Sequence, residues 1–198
     1  MTIRVFFISL SLIFTYMTAY SIQDENVKSS KHGEDQMQLS SPAFKDGEMI
    51  PRKFTCDNVD ISPQLSISNV PKKTKSLALI CDDPDAPMGV WVHWIIFNLP
   101  PGITELPEGI SRDISPVIGP DSTVKVTQGI NDFRRFGYGG PCPPRGSTHR
   151  YFFKLYALDI LLDFDRQQIS KGISAEVLSQ KMEGHVLAST QLMGKYKR

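Results

Sequence analysis

The stretch CDDPDAPMGVWVHWIIFNLP, Cys81–Pro100, decides how the chain is read. Three aspartates fall within Asp82–Asp85, prolines stiffen the segment around them, and a run of large apolar residues follows, broken by His93. Taking charge out of water is costly unless it is paired, so carboxylates and an imidazole beside so much apolar surface need a reason. Trp91–Leu99 has the composition of a strand, as does Ser76–Cys81 before it. The aspartates therefore sit where one strand hands over to the next. In an extended chain, residues two apart share a face. Asp83 and Asp85 are expected to point one way, with Pro84 holding the segment extended. Trp91, His93, Ile95 and Phe97 are expected to form one row.

Outward from this stretch the apolar runs stay short and bounded by turn residues. QLSISNV (Gln64–Val70), TVKVTQG (Thr123–Gly129) and HRYFFKLYAL (His149–Leu158) read as further strands. In the last, His149, Tyr151, Phe153 and Leu155 share a face. Two strands thus each place a histidine near the start of an apolar row, beside a Pro/Gly-rich loop. If those strands are neighbours, two carboxylates, two imidazoles and a tyrosine meet at one sheet end, where the N–H groups of Gly139 and Gly140 can join them. Helical periodicity appears only late. Ser174 is placed to cap a helix with an apolar stripe of Val177, Leu178 and Met182, FDRQQISKG holds a short helical turn, and LASTQLMGKY reads as a last strand. The expected fold is mainly β and antiparallel, with one or two short helices near the C-terminus.

The chain has 198 residues, 40% of them hydrophobic, and a formal net charge of +1. Such a chain suits one domain of about 150 residues plus a tail. It carries no basic field for nucleic acid or an anionic membrane. Residues 1–21 read as a secretory signal peptide: Arg4, an apolar run from Val5 to Met17, then Ala19 and Ser21 at cleavage spacing. Residues 22–37 read as a disordered polar leader, and 38–198 as the domain, with no transmembrane anchor after cleavage. Of the three cysteines, Cys81 closes an apolar run and is expected in the core. Cys56 and Cys142 lie in turn-rich loops and pair only if those loops meet.

Each polar residue also has a bland reading. Asp-Pro-Asp is commonly a turn whose side chains bond nearby backbone. A single histidine is more often structural than a ligand. His185 is assigned to packing or to a helix C-terminal contact. The constellation is the informative part.

DPDAP (Asp83–Pro87), WVHW (Trp91–Trp94) and GPCPPRGSTHRYFFKLYALD (Gly140–Asp159) resemble the two signature regions of the phosphatidylethanolamine-binding proteins, also called Raf-kinase-inhibitor-like proteins. FTCDNVDISPQL, GIND (Gly129–Asp132) and GHVLASTQLMGKYKR resemble the family's bacterial branch. The resemblance implies a β-sandwich with a small anion pocket at one end, taking phosphate-like or acetate-like groups or a phospholipid headgroup. It implies pocket roles for Asp83, Asp85, Trp91, His93, His149 and Tyr151, and for a loop carrying Gly140, Pro143 and Pro144. Cys142 stands where some relatives have glycine, and one extra residue lies between Gly146 and His149. The C-terminal helix that borders the pocket in animal relatives has no counterpart.

The resulting expectation is an exported, secreted or periplasmic, non-enzymatic binder of a small anion or phospholipid headgroup. No cofactor is implied, and a protease or kinase is the class of protein target. Two alternatives stand beside it. An ester or phosphate hydrolase would use Asp83 with His93 or His149. A zinc or manganese site would draw on Asp83, Asp85, His93 and His149. No Gly-x-Ser-x-Gly elbow surrounds Ser147 or Thr148, and a turn cysteine beside prolines is better explained by structure than as a nucleophile.

Overall fold

The computed structural model describes residues 36–119 and 123–198. The expected signal peptide and nearly all of the expected leader lie outside these residues. Met37, left to the leader by the sequence, is buried in the core.

The centre is a five-stranded antiparallel sheet in the order β10-β9-β3-β4-β8. Its members are β3 (Ser76–Asp83), β4 (Trp91–Leu99), β8 (Thr127–Gln128), β9 (Thr148–Leu158) and β10 (Val186–Lys197). A second sheet of β1 (Gln38–Ser40), β2 (Leu65–Ser68) and β5 (Glu105–Leu106) lies over one face. Leu39, Leu65, Ile67 and Leu106 from this smaller sheet pack on Leu79, Trp94, Ile96, Phe153 and Leu155 of the larger one. The opposite face is covered by α1 (Arg166–Lys171), α2 (Ala175–Met182) and the segment before them. There Ile80, Ile95 and Phe97 meet Leu162, Phe164, Leu178 and Met182. Every residue of β3 is buried, which is why its centre, Leu77–Cys81, is an unbroken apolar run rather than an alternation.

The sequence reading of a mainly β antiparallel sandwich with two short helices stands. Ser174 caps α2 by accepting from the Val177 N–H, and α1 carries a complete capping box between Asp165 and Gln168. Val177, however, is exposed while Leu178 and Met182 are buried. Thr123–Gly129 is not one strand. Val124–Lys125 (β7) pairs with Val117–Ile118 (β6), while Thr127–Gln128 joins the large sheet, with Val126 buried at the crossing.

The Cys56–Cys142 disulfide is formed, and Cys81 is a buried free thiol. Burial, then the neighbouring Asp82, pushes the Cys81 thiol well above its ordinary range.

Candidate functional site

The three aspartates of the opening stretch part company. Asp82 points to the helix-covered side and pairs with Lys154 at 2.6 Å. Asp83 points the other way and accepts from His149 Nδ1 at 2.7 Å, both side chains buried. Asp85 turns outward. It accepts the Arg150 main-chain N–H and Nε at 2.9 Å and Nη2 at 2.6 Å. The Arg150 guanidinium holds the Asp85 carboxyl down at about 2. The expected alternation of Asp83 and Asp85 fails because the chain turns at Pro84. The Asp85 N–H bonds back to Asp83 Oδ1 at 2.8 Å, closing an Asx turn.

The expected row on β4 is also interrupted. Cys81 pairs with Trp94 but Asp82 pairs with Val92, so His93 is the extra residue of a bulge. Ile95 and Phe97 pack on the helix side, while His93 turns to the Tyr151 side, its ring edge-on to Tyr151 at 5.1 Å. On β9 the alternation holds, and Tyr151, Phe153 and Leu155 all face the sandwich core. The two histidine strands are not neighbours. β3 runs between them and carries Asp83 midway.

These side chains meet at a cavity of about 330 Å³. Asp83, His93, His149 and Arg198 are its polar members. Trp91, Phe133, Ala86, Pro87 and Met88 form an apolar collar with Pro143 and Pro144, and Cys142 completes the wall. Phe133 stands edge-on to both Trp91 and His93, at 5.5 and 5.2 Å.

Both imidazoles commit Nδ1 to the protein. His93 Nδ1 donates to Gly139 O at 2.6 Å, and His149 Nδ1 to Asp83. Nε2 is then the nitrogen left to meet a ligand, an acceptor in a neutral ring and a donor in a protonated one. Burial lowers the His93 pKa below the ordinary histidine value, against the pull of the Gly139 carbonyl and Asp83. Tyr151 is fully buried behind the cavity. Its hydroxyl lies by Asp83 and the Cys142 main chain without a well-formed hydrogen bond to any described residue. Burial and the Asp83 charge push its pKa upward.

The expected role for loop N–H groups is corrected. The Gly139 N–H donates to His93 O at 2.9 Å, and the Gly140 N–H to Asp60 Oδ1 at 2.6 Å. Neither faces the cavity. Gly140 is needed for close approach: a Cβ there would lie 2.3 Å from Phe54 O. Nor is the proposed metal set assembled. Asp85 is turned to Arg150, and among the described residues no three His, Cys, Asp or Glu side chains are grouped to hold an ion.

Several site residues escaped the sequence reading. Asp60 accepts from Gly140, Arg112 and Arg135 and pins the loop. Asp132, noted only as part of GIND, accepts the Val92 N–H at 2.6 Å. Arg198 carried no local signal at all. His185 pairs with Asp159 at 2.9 Å on the surface, away from this cavity.

A family model described as "Phosphatidylethanolamine-binding protein" matches residues 40–197. A UPF0098 protein of Methanothermobacter thermautotrophicus is 51% identical over 164 residues, covering 82% of this chain and 99% of its own length. A UPF0098 protein of Pyrococcus horikoshii is 47% identical, with 84% and 80% covered. Among solved structures, a phosphatidylethanolamine-binding protein homolog from Chlamydia trachomatis superposes with a TM-score of 0.71 at 41% identity, covering 83% of this chain and 99% of that one. E. coli YbcL, described as a member of the mammalian PEBP family, gives 0.70 at 31% identity, with 82% and 99% covered. The chain belongs to the phosphatidylethanolamine-binding protein family.

Proposed function

We propose that the chain is a non-enzymatic receptor for a small anion or a phosphoryl headgroup. The observation that carries this reading is the grouping of the Asp83–His149 pair and His93 around one small cavity with an apolar collar. With Nδ1 held on Asp83, His149 turns Nε2 to the ligand. A neutral His93 accepts from a protonated phosphate oxygen. The collar supplies low-dielectric walls, where such charge-assisted bonds are stronger.

A binding role is favoured over hydrolysis because Cys142, the nearest candidate nucleophile, is engaged in the disulfide. That disulfide also suits an oxidising compartment and supports export, secreted or periplasmic. There a protease is a more accessible target for regulation or inhibition than a cytosolic kinase.

Inorganic phosphate, added at constant ionic strength, is expected to raise the melting temperature. Saturation at a hundred times Kd adds about 2.7 kcal/mol to unfolding. His149→Ala should keep the fold and lose most of that shift. Equal shifts in both proteins would refute the pocket assignment. p-Nitrophenyl phosphate should bind without releasing nitrophenol, and steady release would favour the hydrolase instead.

A further inference from the structure

We infer that Arg198 is the charge anchor of this pocket and sets its preference for doubly charged over singly charged anions. The assignment rests on the anion-pocket reading above and extends it to a residue outside the Asp–His cluster. Among the described residues lining the cavity, Arg198 has the one permanently positive side chain, and Asp83 the one carboxylate side chain. Asp83 alone would repel an incoming anion. Its other basic neighbour, Arg150, is turned away onto Asp85.

The guanidinium is held in place from two sides. Nε donates to Asp57 Oδ1 at 3.0 Å, and Nη1 lies 3.5 Å from Cys142 Sγ, the disulfide sulfur in the cavity wall. Asp57 is itself fixed, accepting the Tyr196 hydroxyl at 2.8 Å. The Tyr196 hydroxyl, followed by Arg198, lowers the Asp57 pKa. The Arg198 main-chain oxygen accepts the Gly146 N–H at 2.9 Å, joining the residue to the loop that follows Pro143 and Pro144. With Nε and Nη1 engaged, the Nη2 edge of the fork is what meets a ligand at the mouth. A planar fork pinned in this way loses little freedom on binding.

Charge makes the inference quantitative. A fixed cation acts on a dianion twice as strongly as on a monoanion. If its removal costs phosphate about tenfold in affinity, it costs acetate only about threefold, the square root of that factor. The test is calorimetric titration with inorganic phosphate and with acetate near pH 8, where a phosphoryl group is doubly charged. It compares the wild type, Arg198→Ala, Arg198→Lys and His149→Ala. Arg198→Ala is expected to lose about tenfold for phosphate and about threefold for acetate, and Arg198→Lys to recover most of the phosphate affinity. Unliganded melts confirm that each variant is folded. Phosphate binding within twofold of wild type in a folded Arg198→Ala overturns the assignment. So do equal losses for both anions, or a lysine variant as weak as the alanine one. Those results leave the pocket reading intact provided that His149→Ala still abolishes binding. A wild type that binds neither anion ends both.

Discussion

Asp83 uses its two carboxylate oxygens for different purposes. Oδ1 accepts the Asp85 N–H and shapes the turn, while Oδ2 holds His149. An asparagine can still close the turn but cannot offer His149 a charged acceptor. Hydrogen bonds to charged groups contribute about 1.5–3 kcal/mol, so Asp83→Asn is expected to weaken phosphate binding about tenfold or more. The sign of that change discriminates. If Asp83 only repelled the anion, removing its charge would tighten binding, and calorimetry on the folded variant reads the difference directly. At this scale the sequence was legible in kind but not in direction. Asp83, Trp91, His93 and His149 do line one cavity. Asp85 leaves it because the Asx turn, a local hydrogen bond, overrides strand periodicity. His93 enters it through a bulge set by how β3 and β4 pair, which neither strand's sequence shows.

The loop from Gly139 to Pro144 is the element on which the cavity depends. Its Gly139 carbonyl orients His93, its prolines form part of the wall, and Asp60 clamps it from a distant segment. Its tightest point is Gly140, where a Cβ would also come within 2.6 Å of Asp60 Oδ1. Main chain on one side and a bonded carboxylate on the other leave no easy relief. Gly140→Ala should therefore destabilise the fold by about 1–3 kcal/mol and weaken phosphate binding through the displaced Gly139 carbonyl. Denaturant unfolding and titration measure the two effects. Full affinity in this variant would show that the loop's position does not matter to the site. The clamp was illegible in the sequence because Asp60 and Gly140 are 80 residues apart. No period or motif connects such positions; only the packed fold does. The long strands were legible because burial on both faces of β3 and alternation on β9 leave opposite and recognisable patterns.

For the whole molecule, the Cys56–Cys142 bridge joins segments 86 residues apart. It ties the turn after Arg52–Phe54 to the cavity wall. Cross-linking restricts the unfolded chain. The double variant Cys56→Ser/Cys142→Ser is expected to lose about 2–5 kcal/mol of stability, and reductant should lower the melting temperature of the wild type alone. Chemical unfolding with and without reductant checks both, and a double variant as stable as the wild type would contradict them. Cys81 offers no alternative partner, being buried within β3.

The place of β3 in the sheet has a consequence for the growing chain. Its hairpin partner β4 follows at once, but its other neighbour, β9, begins at Thr148, 49 positions after β4 ends at Leu99 (148 minus 99). At a synthesis rate of about 5–20 residues per second, roughly 2–10 s separate the two. Throughout that interval one hydrogen-bonding edge of Ser76–Asp83, the strand of the sheet in which every residue is buried, lacks its native cover. An open apolar edge is a template for pairing with other chains. The strand that later becomes the best-protected part of the molecule is thus the one most in need of a chaperone, or of delayed folding, while the ribosome is still at work.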